Sequence, residues 1–126
     1  MLVLVGLKAS ASFYTTFSLY GDESQYWLWA QTIDFGYFSK PPLLAWFLSI
    51  HTMVFGNSFI SLKMFPIIVY FLIALAIYRF CLQLSFNKKS ALFCSLNFLI
   101  IPAASISSFL ISTDLLLLLF WTLAMT

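Results

Sequence analysis

The sequence predicts an all-α integral membrane protein whose helices cross the bilayer several times. Three observations lead to this prediction: 63% of the 126 residues are hydrophobic, only 8% are charged, and the mean hydropathy is +1.01. Soluble domains are about 45–50% apolar and about 25% charged. This chain therefore has too few polar side chains to cover a surface that faces water.

Composition also excludes two other classes of protein. Disordered chains combine low hydrophobicity with a high net charge, whereas this chain is apolar and carries a formal net charge of +2. That charge is too small to predict a nucleic-acid partner. Cys81 and Cys94 lie in apolar runs without the spacing of a metal site, so we interpret them as small buried hydrophobic residues.

Two segments are apolar over the length of about 20 residues that a transmembrane helix needs. They are Met64–Leu84 and Ala91–Ile111, separated by the short polar turn Ser85–Ser90. Pro102 lies inside the second segment, where it is tolerated if neighbouring groups satisfy the freed carbonyl.

Incomplete apolar runs lie on either side of these two spans. A further span begins after Asp114, and the first 20 residues predict a short first span. A signal peptide is the alternative there, but the basic Lys8 follows the apolar run instead of preceding it.

The segment Pro41–Phe55 is apolar but only about 15 residues long, so it is borderline between a span and an interfacial helix. Cytoplasmic loops collect Lys and Arg, so Arg79, Lys88 and Lys89 indicate that Ser85–Ser90 lies inside. We predict an interfacial helix, because residues 20–63 then form an external loop and Asp114 returns to the same outer face.

This topology gathers the acids at one membrane interface. Asp22, Glu23 and Asp34 lie in the external loop together with Lys40, and Asp114 lies on the same side. Acids close to the hydrocarbon are costly and indicate a functional site by default. Transporters place such charges within their spans or at broken helices, so the interfacial position disfavours a transport function.

An aromatic helix is predicted between Asp22, which can cap it with Gln25 at the third position, and Gly36, which ends it. Helical spacing places Tyr26, Trp29 and Ile33 on one stripe and Trp27 and Gln31 on another. Trp and Tyr concentrate at the headgroup level of membranes.

Each of these residues also has a simpler interpretation. Asp22 can be only a helix cap, and Asp114 or Thr113 can cap the last helix. The aromatic residues can be interfacial anchors, Lys40 and Lys63 can be snorkelling residues, and His51 is interpreted as a hydrogen-bonded interfacial residue. These interpretations do not explain why the acids share one face.

Several motifs follow one another in the order seen in a known family. The segment DESQYWLWAQTIDFGYFSKPPLLAWF closely resembles the first external loop of glycosyltransferase family 39 proteins of the GT-C class. These are bacterial relatives of dolichyl-phosphate-mannose protein mannosyltransferases and of the lipid A aminoarabinose transferase. The matching elements are Asp22-Glu23, Tyr26-Trp27, Phe35-Gly36-Tyr37, Lys40-Pro41-Pro42-Leu43 with Trp46, Phe55-Gly56-Asn57-Ser58, and Thr113-Asp114 with Phe120-Trp121.

The resemblance implies that residues 1–126 are the N-terminal transmembrane part of an inverting glycosyltransferase. Such enzymes move a sugar from a polyprenyl-phosphate carrier onto a lipid, glycan or protein acceptor outside the bacterial inner membrane. Asp22 would be the catalytic base, with Glu23 as the next candidate. Lys40 would meet the carrier phosphate, and the remaining substrate contacts would come from Tyr26, Trp27, Tyr37 and Asp114.

The resemblance leaves the metal open, because some relatives carry a metal-binding acid where this chain has Ser39. A divalent cation is therefore one alternative, and no cofactor is the other. The chain is expected to be a fragment that is inactive alone and pairs with a C-terminal companion. The alternative function is a non-catalytic membrane protein or an inactive remnant of such an enzyme.

Overall fold

The computed structural model describes residues 3, 6, 7, 10, 21–32, 34–37 and 42–126. Within these ranges the chain is helical and contains no strand, which confirms the all-α prediction. The six helices that can be delimited are α1 (Gly21–Gln31), α2 (Leu43–Phe55), α3 (Phe59–Gln83), α4 (Lys88–Ile100), α5 (Pro102–Ser107) and α6 (Thr113–Ala124). Lys40 and Ile33 lie outside the described residues.

Helix α3 covers the predicted span Met64–Leu84 as far as Gln83, and it begins earlier, at Phe59. The Ser58 hydroxyl caps its first turn by accepting the Ser61 amide at 3.2 Å. By length and composition, α3 is the one helix among the described residues that could cross a membrane. The topology of the other segments stays a prediction.

The prediction of a single helix over Ala91–Ile111 is wrong, because the chain breaks between α4 and α5. Ile101 has φ −51° and ψ 127°, an extended conformation. Proline disfavours the α conformation for the residue that precedes it, so Pro102 ends α4 and opens α5. The polar turn before α4 is confirmed, and Asn87 caps α4 by accepting the Ser90 amide at 2.7 Å.

The helix ends of the two acid-bearing segments also differ from the prediction. Helix α1 begins at Gly21, so Asp22 lies inside its first turn, and it ends at Gln31 before Gly36 is reached. Ser112 is the N-cap residue of α6, although its side chain makes no capping bond. Asp114 therefore lies in the first turn of α6, where a carboxylate is favoured by the helix dipole.

Helix α3 is central, packing against α2, α4 and α6, while α1 packs against α2. The hydrophobic core includes Tyr26, Leu48, Ile73 and Leu115. Large apolar side chains also point outward, among them Met53, which is 73% exposed. The prediction that both cysteines are buried holds for Cys81 but is wrong for Cys94, which is exposed.

Candidate functional site

The two neighbouring acids of α1 lie in opposite environments. Asp22 is exposed, whereas Glu23 is only 1% exposed. The Glu23 carboxylate oxygens lie 2.7 and 3.0 Å from the Lys63 ammonium nitrogen, which belongs to α3. This buried ion pair joins α1 to the long apolar helix α3.

The same pair also holds the segment between α5 and α6. The Ile111 amide donates to Glu23 Oε1 at 2.9 Å, and the Lys63 ammonium lies 3.4 Å from the Phe109 carbonyl oxygen. An irregular backbone in an apolar surrounding must find partners for its polar groups. Here a carboxylate and an ammonium supply them.

This cluster was missed by the interpretation of Lys63 as a snorkelling residue, which is wrong because its side chain is buried and paired. One signal was available in the sequence: a lysine near the start of a long apolar helix, with an acid pair upstream. A buried charge is costly unless it is paired, so such a lysine predicts a carboxylate partner.

Asp22 and Asp114 are both exposed carboxylates, and each lies beside the buried cluster in sequence. Asp22 directly precedes Glu23, and Asp114 follows Ile111 by three positions. An exposed carboxylate held on a rigid helix can accept a proton or contact a polar substrate. Lys40, the expected phosphate contact, lies outside the described residues.

The aromatic residues of the loop divide into packed and cleft-lining groups. Tyr26 is buried and packs edge-on against Trp29, which in turn stacks on Tyr37 with ring centroids 4.9 Å apart. The Tyr37 hydroxyl lies 2.6 Å from the Thr32 carbonyl oxygen. Tyr26 and Tyr37 therefore shape the end of α1.

Trp27 lies on a different face, where its indole Nε1 donates to Asn57 Oδ1 at 2.6 Å. A cleft of about 520 Å³ opens between α1 and α2 at this point. Its lining confirms the predicted stripe of Trp27 and Gln31, and its remaining walls come from Ala30, Ser49, Thr52, Met53 and Asn57.

A second cleft lies between the start of α2 and the first half of α6. Its volume is about 280 Å³, and its walls are mostly apolar. Asp114 and Thr113 are its polar residues, and the apolar lining comes from Leu43, Leu44, Leu116, Leu117 and Phe120. An apolar wall beside a carboxylate suits a ligand that has both an apolar chain and a polar group.

His51 is hydrogen-bonded, as predicted, and buried. Its Nε2 lies 2.8 Å from the Ser61 carbonyl oxygen, so this nitrogen donates and links α2 to α3. No group of three or more His, Cys, Asp or Glu side chains that could hold a metal ion occurs within the described ranges.

The chain is similar in sequence to known proteins. A family model described as dolichyl-phosphate-mannose-protein mannosyltransferase matches residues 39–126. The chain is also 30% identical, over 105 residues, to the lipid A galacturonosyltransferase RgtD of Rhizobium johnstonii. That match covers 82% of this chain and 22% of the relative, so the chain spans about a fifth of the relative's length.

No solved structure matches the chain. The family model nevertheless covers most of the sequence, including α2, α3 and the Asp114 segment. The chain therefore belongs to the dolichyl-phosphate-mannose-protein mannosyltransferase family of GT-C type glycosyltransferases.

Proposed function

We propose that this chain supplies the acceptor-activating part of a membrane glycosyltransferase that uses a polyprenyl-phosphate sugar. The acceptor would be a lipid, glycan or protein of the cell envelope. The supporting observation is the split of the acid pair: Glu23 is buried and anchored to Lys63, while Asp22 beside it is exposed. Glu23 is thus anchored to α3, and Asp22 is exposed on the surface of α1.

Asp22 acts as the general base in this proposal. The acceptor hydroxyl oxygen attacks the anomeric carbon, the bond from that carbon to the carrier phosphate breaks, and the hydroxyl proton passes to the Asp22 carboxylate. The configuration inverts because attack comes from the side opposite the phosphate. A base must lie within hydrogen-bonding reach of the attacking hydroxyl, which requires an exposed carboxylate on a fixed helix.

The carrier is bound by Lys40 of the same loop and by the segment that begins at Asp114. Lys40 offsets the negative charge that develops on the departing phosphate. The cleft beside Asp114 supports this assignment, because its leucines and Phe120 form an apolar wall that fits part of an isoprenoid chain. Asp114 then lines the polar end of the site or helps to hold a divalent cation.

The reaction is proposed to take place at the outer face of the bacterial inner membrane. In this arrangement residues 20–63 and Asp114 lie outside and the connection between α3 and α4 lies inside. Lys88 and Lys89, which are exposed at the start of α4, support that orientation.

The test is transfer of radiolabelled sugar in membranes of cells that carry the gene at its native locus. A polyprenyl-phosphate sugar should label an envelope acceptor, and the corresponding nucleotide sugar should not. Membranes that carry Asp22→Asn serve as the blank. Labelling that depends on the nucleotide sugar, or that persists in the blank, would contradict the proposal and favour the non-catalytic alternative.

A further inference from the structure

We propose that the Glu23–Lys63 pair is a clamp that sets the relative placement of Asp22 and Asp114 and contacts no substrate itself. The clamp consists of four groups: the Glu23 carboxylate, the Lys63 ammonium, the Ile111 amide and the Phe109 carbonyl. The consequence of the clamp for catalysis rests on the proposed function. Its effect on the relative placement of Asp22 and Asp114 does not depend on that function.

The Glu23 carboxylate is already engaged by the protein. Oε1 accepts both the Lys63 ammonium and the Ile111 amide, and Oε2 accepts the Lys63 ammonium at 2.7 Å. With 1% of the residue exposed, no acceptor hydroxyl can reach these oxygens without opening the cluster. Glu23 is therefore a positioning residue.

The backbone between α5 and α6 depends on this pair. The chain is not helical from 108 to 112. The Phe109 and Leu110 amides still bond back to the Ile106 and Ser107 carbonyls, whereas the Ile111 amide bonds to Glu23. Ile111 is buried and its amide meets a carboxylate, while the Phe109 carbonyl faces an ammonium. These two contacts fix the point at which α6 begins, and with it the position of Asp114, relative to α3.

The position of Asp22 is fixed relative to the same residue of α3, Lys63. Consecutive Cα atoms are about 3.8 Å apart, so anchoring Glu23 fixes the backbone that carries Asp22. The cluster thereby ties the first outer segment and the second outer segment to one lysine of the long helix. A displacement of about 1 Å in a catalytic site is enough to cost about 10²-fold in rate.

The clamp is tested by the distance between spin labels placed on α1 and α6. Gln25 and Trp121 are exposed and suit the labels, after Cys81 and Cys94 have been replaced by Ala. The protein carrying the intact pair should give one narrow distance distribution in lipid nanodiscs. Glu23→Gln and Lys63→Ala should broaden it, and Lys63→Arg, which keeps the charge, should restore most of it.

His51→Ala is the matched control, because it removes a different buried polar link, between α2 and α3. It should leave the α1–α6 distance unchanged. If the distribution stays narrow in both Glu23→Gln and Lys63→Ala, the clamp is refuted, whatever the transfer assay shows. If it broadens in these variants while the unaltered protein transfers no sugar, the clamp stands and the proposed function fails.

A charge exchange separates a clamp from a simple ion pair. The double variant Glu23→Lys with Lys63→Glu restores opposite charges but brings an ammonium against the Ile111 amide, and two donors cannot bond. The distance distribution should therefore stay broad, and transfer should stay at the level of the single variants. If the exchanged pair restores both the narrow distance distribution and the transfer, the clamp is refuted. Charge attraction alone would then explain the effects of the single variants.

Discussion

Asp22 and Glu23 are consecutive residues of one helical turn, yet Asp22 is exposed while Glu23 is buried against Lys63. Consecutive side chains on a helix point about 100° apart, so one of two adjacent acids can face the core while the other faces outward. Glu23 faces α3, which leaves Asp22 on the accessible side of α1. This helical geometry allows Asp22 to act as the proposed base while Glu23 acts as the anchor.

Asp22→Asn is expected to lower sugar transfer by about 10²–10⁴-fold, the usual contribution of a general base. The variant keeps the size of the side chain and removes its ability to take a proton. The measurement is the initial rate of transfer in membranes that contain equal amounts of protein. Asp34→Asn is the control, because Asp34 is another exposed acid of the same loop. Equal losses in both variants would assign the effect to loop charge.

Removing one partner of the buried pair should be more destabilising than removing both. A buried ion left without its partner costs about 3–5 kcal/mol, so Lys63→Met and Glu23→Leu should each lower the unfolding free energy by roughly that amount. The double variant should lose less than the sum. It should not be neutral, because the Ile111 amide then lacks an acceptor, at a cost of about 1–3 kcal/mol.

Denaturant unfolding in detergent micelles, followed by near-ultraviolet circular dichroism, measures these differences in a double-mutant cycle. Coupling near zero between Glu23 and Lys63 would show that the pair does not stabilise the fold.

His51→Ala is expected to destabilise the packing of α2 on α3. The ring nitrogen donates to the Ser61 carbonyl across the two helices, and alanine removes this bond together with the contact between the imidazole and Phe65 rings. The expected cost of the lost hydrogen bond is about 0.5–1.5 kcal/mol. Thr52→Ala is the control, because the Thr52 hydroxyl bonds only to Ser49 within its own helix. Similar costs for both variants would contradict a role for His51 between the helices.

Single cysteines at Gln31 and Asn87 should be labelled from opposite sides of the membrane. Gln31 ends α1 in the predicted external loop, and Asn87 caps α4 in the predicted internal turn. A membrane-impermeant thiol reagent applied outside should modify the first position in a background that lacks Cys81 and Cys94. Asn87 should react only after permeabilisation. Equal reaction of both positions in intact cells would refute the topology.

The local features of the fold could be predicted from the sequence. An apolar run predicted the long helix α3, and helical spacing correctly placed Trp27 and Gln31 on one face. The ordered motifs indicated the family, which the comparisons confirmed. Each of these depends on residues that are close together in the chain, so composition and spacing are sufficient.

The helix ends were predicted less well because several residues competed for each one. Ser112 and not Asp114 is the cap residue of α6, and α1 ends at Gln31 ahead of the glycine that was expected to end it. The break at Pro102 was underestimated for the same reason: a proline inside an apolar run either bends or ends a helix. Hydropathy does not distinguish the two outcomes.

By itself, the sequence determined that the chain is helical, apolar and a glycosyltransferase relative. These properties can be read from composition, from helical spacing and from short motifs, each of which involves residues that are close together in the chain. Only the tertiary structure decided which acid is buried. Glu23 meets Lys63 across 40 positions and Ile111 across 88. No local pattern contains those separations, and the free energy of a buried charge depends on the partner that folding brings to it.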